Sequence, residues 1–298
     1  MGLREVFFGN KKPDLIAEGR EALKRGDGRL AFEIFSPLAQ AGNAEAQCSL
    51  GFLFKTALLD FHKAAFWYRK AAEQGNAEAQ CKLGFLYRSG RGVEKSDTEG
   101  ARWYEKSAAQ GNAEAQFNLG RCYLQGEGVS CSLEDAMTWF TLAANAGEEH
   151  AEYTLGNMFM EGTLVPQDTA RALYWLERAS RYATVHQTTI GDLVSPPADG
   201  NHNVCINALF NLAQVYRQGQ LVSADAKKAF GYYLQAAQLG DLESQFAVGK
   251  MLYEGEGVKN SSQEAMQWLL RAAQQGHERS KHYLGGMSEF VEGLTFLK

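Results

Sequence analysis

Tryptophan recurs in this chain at a fixed interval. Trp67, Trp103, Trp139 and Trp175 stand 36 residues apart, and Tyr232 and Trp268 keep that spacing beyond a gap of 57. A period of this length is one supersecondary unit repeated, and such a unit cannot bury its apolar face alone. Copies must stack to bury it, so the chain forms a linear array and not a single closed core. The gap of 57 is one period and a further 21 residues, which places one insertion in the array.

Glycine supplies two more marks. Gly84, Gly120, Gly156 and Gly249, with Ala213 as their counterpart, lie 19 residues before the aromatic of their unit, and Gly51 lies 16 before Trp67. Gly75, Gly111, Gly147, Gly240 and Gly276 follow it by eight. Between these marks each unit reads as two helices. Residues Ala77–Ser89 place Ala79, Leu83, Leu86 and Tyr87 on one helical stripe. Asn76 precedes them as an N-cap, and Glu78 lies in the positive first turn. Gly90 and Gly92 accept positive φ and end the helix. Ser96 with Glu99 predicts a capping box that opens a second helix over 97–110; Ser261 with Glu264 repeats it, and Ser132 with Asp135 approximates it. That helix presents Ala101, Tyr104 and Ala108 together, and Gly111 stops it. Gly84 leaves room for a close neighbour, while Trp103 fills the space between one unit and the next.

The pattern AEAQ-x-x-LG-x-x-Y-x-x-G-x-GV, followed by A-x-x-WY-x-x-AA-x-x-G, resembles the Sel1-like repeat, a relative of the tetratricopeptide repeat. Ala77–Gly111 and Ala113–Gly147 are the clearest copies; Ala44–Gly75, Glu149–Arg181, Ile206–Gly240 and Leu242–Gly276 are good ones. Pro13–Gly42 is similar to a degenerate first unit, and Glu278–Glu289 to a last first-helix without its partner. The resemblance implies an all-α, right-handed α-solenoid of about seven helix-pair repeats with one loop insertion. The expected organisation is an arm or cap over 1–12 and repeats over 13–181, of which 13–42 is degenerate and four units are clear. An insertion loop over 182–205, repeats over 206–290 and a tail over 291–298 follow.

The resemblance also implies an adaptor that binds a protein or peptide in the concave groove lined by the first helices. Three columns of residues are candidates for that groove, counted from Leu83 and its equivalents. Two places before lie Cys48, Cys81, Phe117, Tyr153, Phe210, Phe246 and His282. Two places after lie Phe52, Phe85, Arg121, Asn157, Gln214, Lys250 and Gly286. One turn further lie Lys55, Arg88, Leu124, Met160, Arg217 and Tyr253. An aromatic floor with scattered cations suits a peptide with apolar anchors and acidic groups. The competing reading is structural: large apolar residues prefer the interior, and single surface cations are ordinarily solvated.

Composition narrows the function further. A net charge of −5 disfavours a nucleic-acid partner, and no apolar run reaches a membrane-spanning length. The first twelve residues hold Val6, Phe7 and Phe8 but no apolar core of a signal peptide, so the expected compartment is the cytoplasm; with the Sel1-like resemblance, the expected source is bacterial. Five cysteines form no paired framework and read as reduced. His186, His202 and Cys205 have no zinc-site spacing, and neither a metal nor another cofactor is expected. No Ser-x-x-Lys, His-Glu-x-x-His or phosphate loop occurs, so no catalytic residue is named. The alternatives to a cytoplasmic adaptor are a hydrolase of cell-wall or peptide substrates and an adaptor exported to act on host proteins. The apolar ends, Val6–Phe8 and Phe290–Leu297, read as covers for the terminal units or as sites of self-association.

Overall fold

The computed structural model describes residues 14–181, 201–219 and 221–295, and all regular structure among them is helical. The expected arm and the segment with His186 and the two prolines lie outside the described residues, as do the side chains of His202 and of the C-terminal apolar tail. No helix among the described residues is long and apolar enough to cross a membrane.

Two compact units divide the chain, Met1–Ala146 and Gly147–Lys298. The first unit holds the pairs α1 (Leu15–Lys24) and α2 (Gly28–Gln40), α3 (Ala44–Thr56) and α4 (Phe61–Glu73), α5 (Ala77–Ser89) and α6 (Asp97–Ala108), α7 (Ala113–Gln125) and α8 (Leu133–Asn145). The second holds α9 (Glu149–Glu161) and α10 (Thr169–Ser180), α11 (Asn201–Gln218) and α12 (Ala226–Gln238), α13 (Leu242–Glu254) and α14 (Ser262–Gln274), and α15 (Glu278–Thr295). Helix α5 has the predicted limits; α6 ends two residues early, at Ala108.

The residue after each tryptophan fills the interior more deeply than the tryptophan does. Tyr68, Tyr104 and Tyr233 are 1% exposed, and Phe140, Leu176 and Leu269 are 0% exposed. Each lies under the glycine or alanine of its first helix. A methyl on Gly84 would stand 2.9 Å from the Tyr104 ring and 3.0 Å from the Gly100 carbonyl, so the missing side chain is what lets α5 and α6 approach. The degenerate first pair repeats the device, with Phe35 beneath Gly19. The tryptophans take the joint between pairs. Trp103 packs on the cluster of Cys48, Tyr68 and Leu86, and Trp139 on that of Cys81, Tyr104 and Leu119.

Buried glutamines lace successive helices together. Gln80 Nε2 donates to the Ala72 carbonyl of the preceding pair at 3.1 Å, and Gln110 Nε2 donates to Gln80 Oε1 at 2.7 Å. Gln47 and Gln245 repeat both bonds, and Gln116 repeats the first. A buried amide with donor and acceptor both satisfied contributes specificity at little desolvation cost.

Glu152 occupies the same repeat position and departs from it. Its side chain is 1% exposed and meets Arg178 Nη2 at 2.7 Å. Burial raises its carboxyl above the ordinary carboxylate value, with Arg178 opposing. A raised value in the folded chain means that the folded state holds the proton more tightly. The stability this contributes is complete below the ordinary value of about 4.5 and is lost as pH rises through the raised one. Glu152→Gln is therefore expected to flatten the melting temperature between mildly acidic and neutral pH and to stabilise the neutral protein by about 1 kcal/mol. Melting curves across that range check it; an unchanged slope would sink the assignment.

Two sequence expectations are corrected. The capping boxes form by halves: the hydroxyls of Ser96, Ser132 and Ser261 accept the N–H of Glu99, Asp135 and Glu264 at 3.2, 3.2 and 3.4 Å. The reciprocal bond to the serine N–H does not form, because that N–H donates at 2.9 Å to the carbonyl of Tyr87, Tyr123 or Leu252 on the first helix. Glu99 turns instead to Arg102, at 2.7 Å. The second correction concerns the 182–205 insertion, into which α11 reaches back to Asn201. Cys205, fully buried, packs with Ile206, Leu209 and Ala236, and this apolar contact carries the helix past the repeat boundary. The same burial makes Cys205 a core residue.

Candidate functional site

In the first unit the three candidate columns separate by depth. Cys48 and Cys81 are buried, and burial pushes the Cys48 thiol up to about 12. Phe117, half-buried, leans on Phe140 with ring centroids 5.7 Å apart. One turn on, Phe52 and Phe85 remain 40% and 41% exposed, and Arg121 lies over the Phe117 ring at 6.0 Å. The cations of the third column are drawn into the protein. Arg88 pairs with Glu127 in the turn after α7 and lies 3.9 Å from Asp97. Lys55 is half-buried on α3.

In the second unit five predicted residues meet. Phe210, Gln214, Arg217, Phe246 and Lys250 line one recess of about 170 Å³. Tyr233, Tyr283 and Ala247 complete its apolar wall, with Glu243 and Arg279 at the edge. Phe246 meets Tyr283 edge-on at 5.7 Å, and Phe210 meets Tyr233 at the same distance. The cations are neutralised from within: Arg217 grips both oxygens of Glu256 at 2.9 and 2.6 Å, Lys250 lies 3.7 Å from Glu254, and Arg279 bonds Glu243 at 2.6 Å. Burial raises the Tyr233 phenol, with Arg217 opposing. Tyr153 and Asn157 stand elsewhere in this unit; Asn211 Nδ2 donates to Asn157 Oδ1 at 2.8 Å and reaches Tyr153 Oη at 3.5 Å.

Six successive stretches, 44–76, 77–112, 113–148, 149–181, 206–241 and 242–277, match the Sel1 repeat. The chain belongs to the Sel1 repeat family. It is similar to a Sel1 repeat protein from Oxalobacter formigenes, with 26% identity and a TM-score of 0.70 over 87% of this chain and 99% of that one. A protective antigen present in uropathogenic Escherichia coli strains, displaying an SLR fold, is 27% identical. That likeness has a TM-score of 0.51 and covers 86% of this chain and 59% of the antigen. No curated protein matches the chain.

Two further columns of the Sel1 repeats face the same way and were missed in the sequence. One lies a single place before the reference leucine and contains Lys82, Asn211, Ala247 and Tyr283; the other lies five before and contains Glu114, Glu243 and Arg279. Helical periodicity would have found them, since positions three, four and seven apart share a face. Their charges pair across repeats, as Lys82 does with Glu114.

A Ser–His–carboxylate chain also emerges beside the recess. His277 Nδ1 lies 2.8 Å from Ser280 Oγ, and its Nε2 lies 3.1 Å from Glu243 Oε1. The geometry is that of a helix start. His277 stands where Asn43, Asn76 and Asn112 cap the other first helices, and the Ser280 N–H points at Nδ1 from 3.3 Å. Ser280 is fully buried, so its hydroxyl cannot reach a substrate.

Proposed function

We propose that this Sel1 repeat protein is a non-catalytic adaptor that holds a protein partner against the exposed face of its first helices. The observation that carries this reading is the recess of the second unit. Its walls are aromatic, its cations are neutralised by glutamates of the chain, and the serine–histidine pair beside it is closed to substrate. Such a hollow accepts an apolar side chain of a partner, which is how interface anchors are seated. Phe52 and Phe85 offer a second apolar contact in the first unit.

The test is affinity capture from the source cell's lysate. Wild type is compared with Gln214→Trp, which fills the recess, and with Phe85→Ala/Arg121→Glu. With helical content unchanged, loss of the same prey by either variant is the expected result. Retention of every prey by both variants overturns the reading.

A further inference from the structure

The cations of the third column obey a rule that is broken once. Arg88 pairs with Glu127, and Arg217 pairs with Glu256. Each glutamate is the middle residue of the Gly-x-Gly-Val turn that follows the next first helix, 126–129 and 255–258. Lys55 holds the corresponding place on α3, and the corresponding turn is Gly90-Arg91-Gly92-Val93. Where the rule calls for a carboxylate there is a second cation. Lys55 has no ion-pair partner among the described residues, and neither has Arg91, whose guanidinium lies over the Phe61 ring at 5.4 Å. Burial, with Lys82 and Arg91 nearby and Glu114 opposing, lowers the Lys55 ammonium below its ordinary value. Lys82 itself is matched by Glu114. A departure from a local rule that no ion pair offsets is characteristic of a functional position.

We infer that Lys55 and Arg91 bind a carboxylate side chain of an acidic, apolar peptide segment, whose neighbouring residues rest on Phe52 and Phe85. The carboxylate takes the place that Glu127 and Glu256 take in the other two turns. Phe52 lies one turn before Lys55 on α3, and Phe85 lies one repeat on, both with an exposed ring. Adjacent packed helices are about 10 Å apart, which is about three residues of extended chain. The segment thus has two apolar residues about three places apart with an acid between them. The chain's net charge of −5 repels a run of phosphates far more than one carboxylate, so an acidic peptide fits better than a nucleic acid.

This inference rests on the adaptor reading and names the chemistry of one contact. The probe is a labelled peptide with two phenylalanines three positions apart and glutamates between them, set against its lysine-for-glutamate counterpart in fluorescence anisotropy. The intact chain is expected to prefer the acidic probe by about tenfold or more, a preference that fades as salt rises. Arg91→Glu is the decisive variant. It rebuilds the Arg88–Glu127 arrangement inside the chain, so the protein should melt no lower than wild type while binding falls by about tenfold or more. Lys55→Gln gives the same loss without adding a charge. Equal binding of both probes, or wild-type binding by Arg91→Glu and Lys55→Gln, overturns the inference. Loss of the probe only in Gln214→Trp also overturns it, yet leaves the adaptor reading standing. So does full displacement by a single-stranded oligonucleotide, or a dimer in light scattering that Arg91→Glu dissolves, which would make the occupant a nucleic acid or a second copy. Absence of any prey from wild type, by contrast, removes the adaptor reading itself.

Discussion

Gly128→Ala is expected to destabilise the protein by more than about 4 kcal/mol, whereas Gly126→Ala, two residues away in the same turn, should cost about 1–2 kcal/mol. Both glycines have positive φ, +70° at Gly126 and +79° at Gly128, so both variants carry the dihedral penalty. They differ in what the new methyl meets. At Gly126 it would stand 3.4 Å from Cys131 Cβ, an ordinary contact. At Gly128 it would stand 2.1 Å from the Asp97 carbonyl oxygen and 2.4 Å from its carbon. Those atoms are backbone at the start of α6, in the preceding repeat, and cannot swing aside. Gly92 against Phe61 and Gly257 against Ala226 show the same approach, so in these three repeats the turn is the joint that seats the repeat on the one before. Urea unfolding of the two variants measures the difference, and equal losses would show that the joint yields.

The second large effect separates two adjacent aromatics. Tyr104→Ala should cost about 3–5 kcal/mol, because it empties a fully packed site between α5, α6 and the next repeat. Trp103→Ala should cost less, about 2 kcal/mol, although tryptophan is the larger residue. Trp103 is half-buried, and its ring also carries the Lys106 ammonium at 4.2 Å, near the surface. Hydrogen exchange gives a second readout. Tyr104→Ala should release amides of both α5 and α6, since neighbouring repeats hold each other closed. A larger loss from Trp103→Ala would reverse the assignment of core and joint.

The candidate site was legible in part. The columns containing Phe210, Gln214, Arg217, Phe246 and Lys250 were read from one repeat register, and all five line one recess. The register could not reveal that Arg88 and Arg217 are held by Glu127 and Glu256, nearly forty residues away, because such pairs depend on the stacking of one repeat on the next. Ser280, His277 and Glu243 look unrelated in the sequence for the same reason, and their meeting has meaning only once the burial of Ser280 is known.

The sequence by itself determined the helix pairs, their period and their family, because these rest on local chemistry that most units repeat: an N-cap, an apolar stripe and a glycine after each helix. Tertiary structure decided which aromatic is core, which serine N–H is already bonded and where α11 begins. It also decided which cations are paired within the chain. Each of these depends on what a neighbouring repeat places within a few ångströms, and a one-dimensional pattern specifies the identity of a side chain but not the distance to its partner.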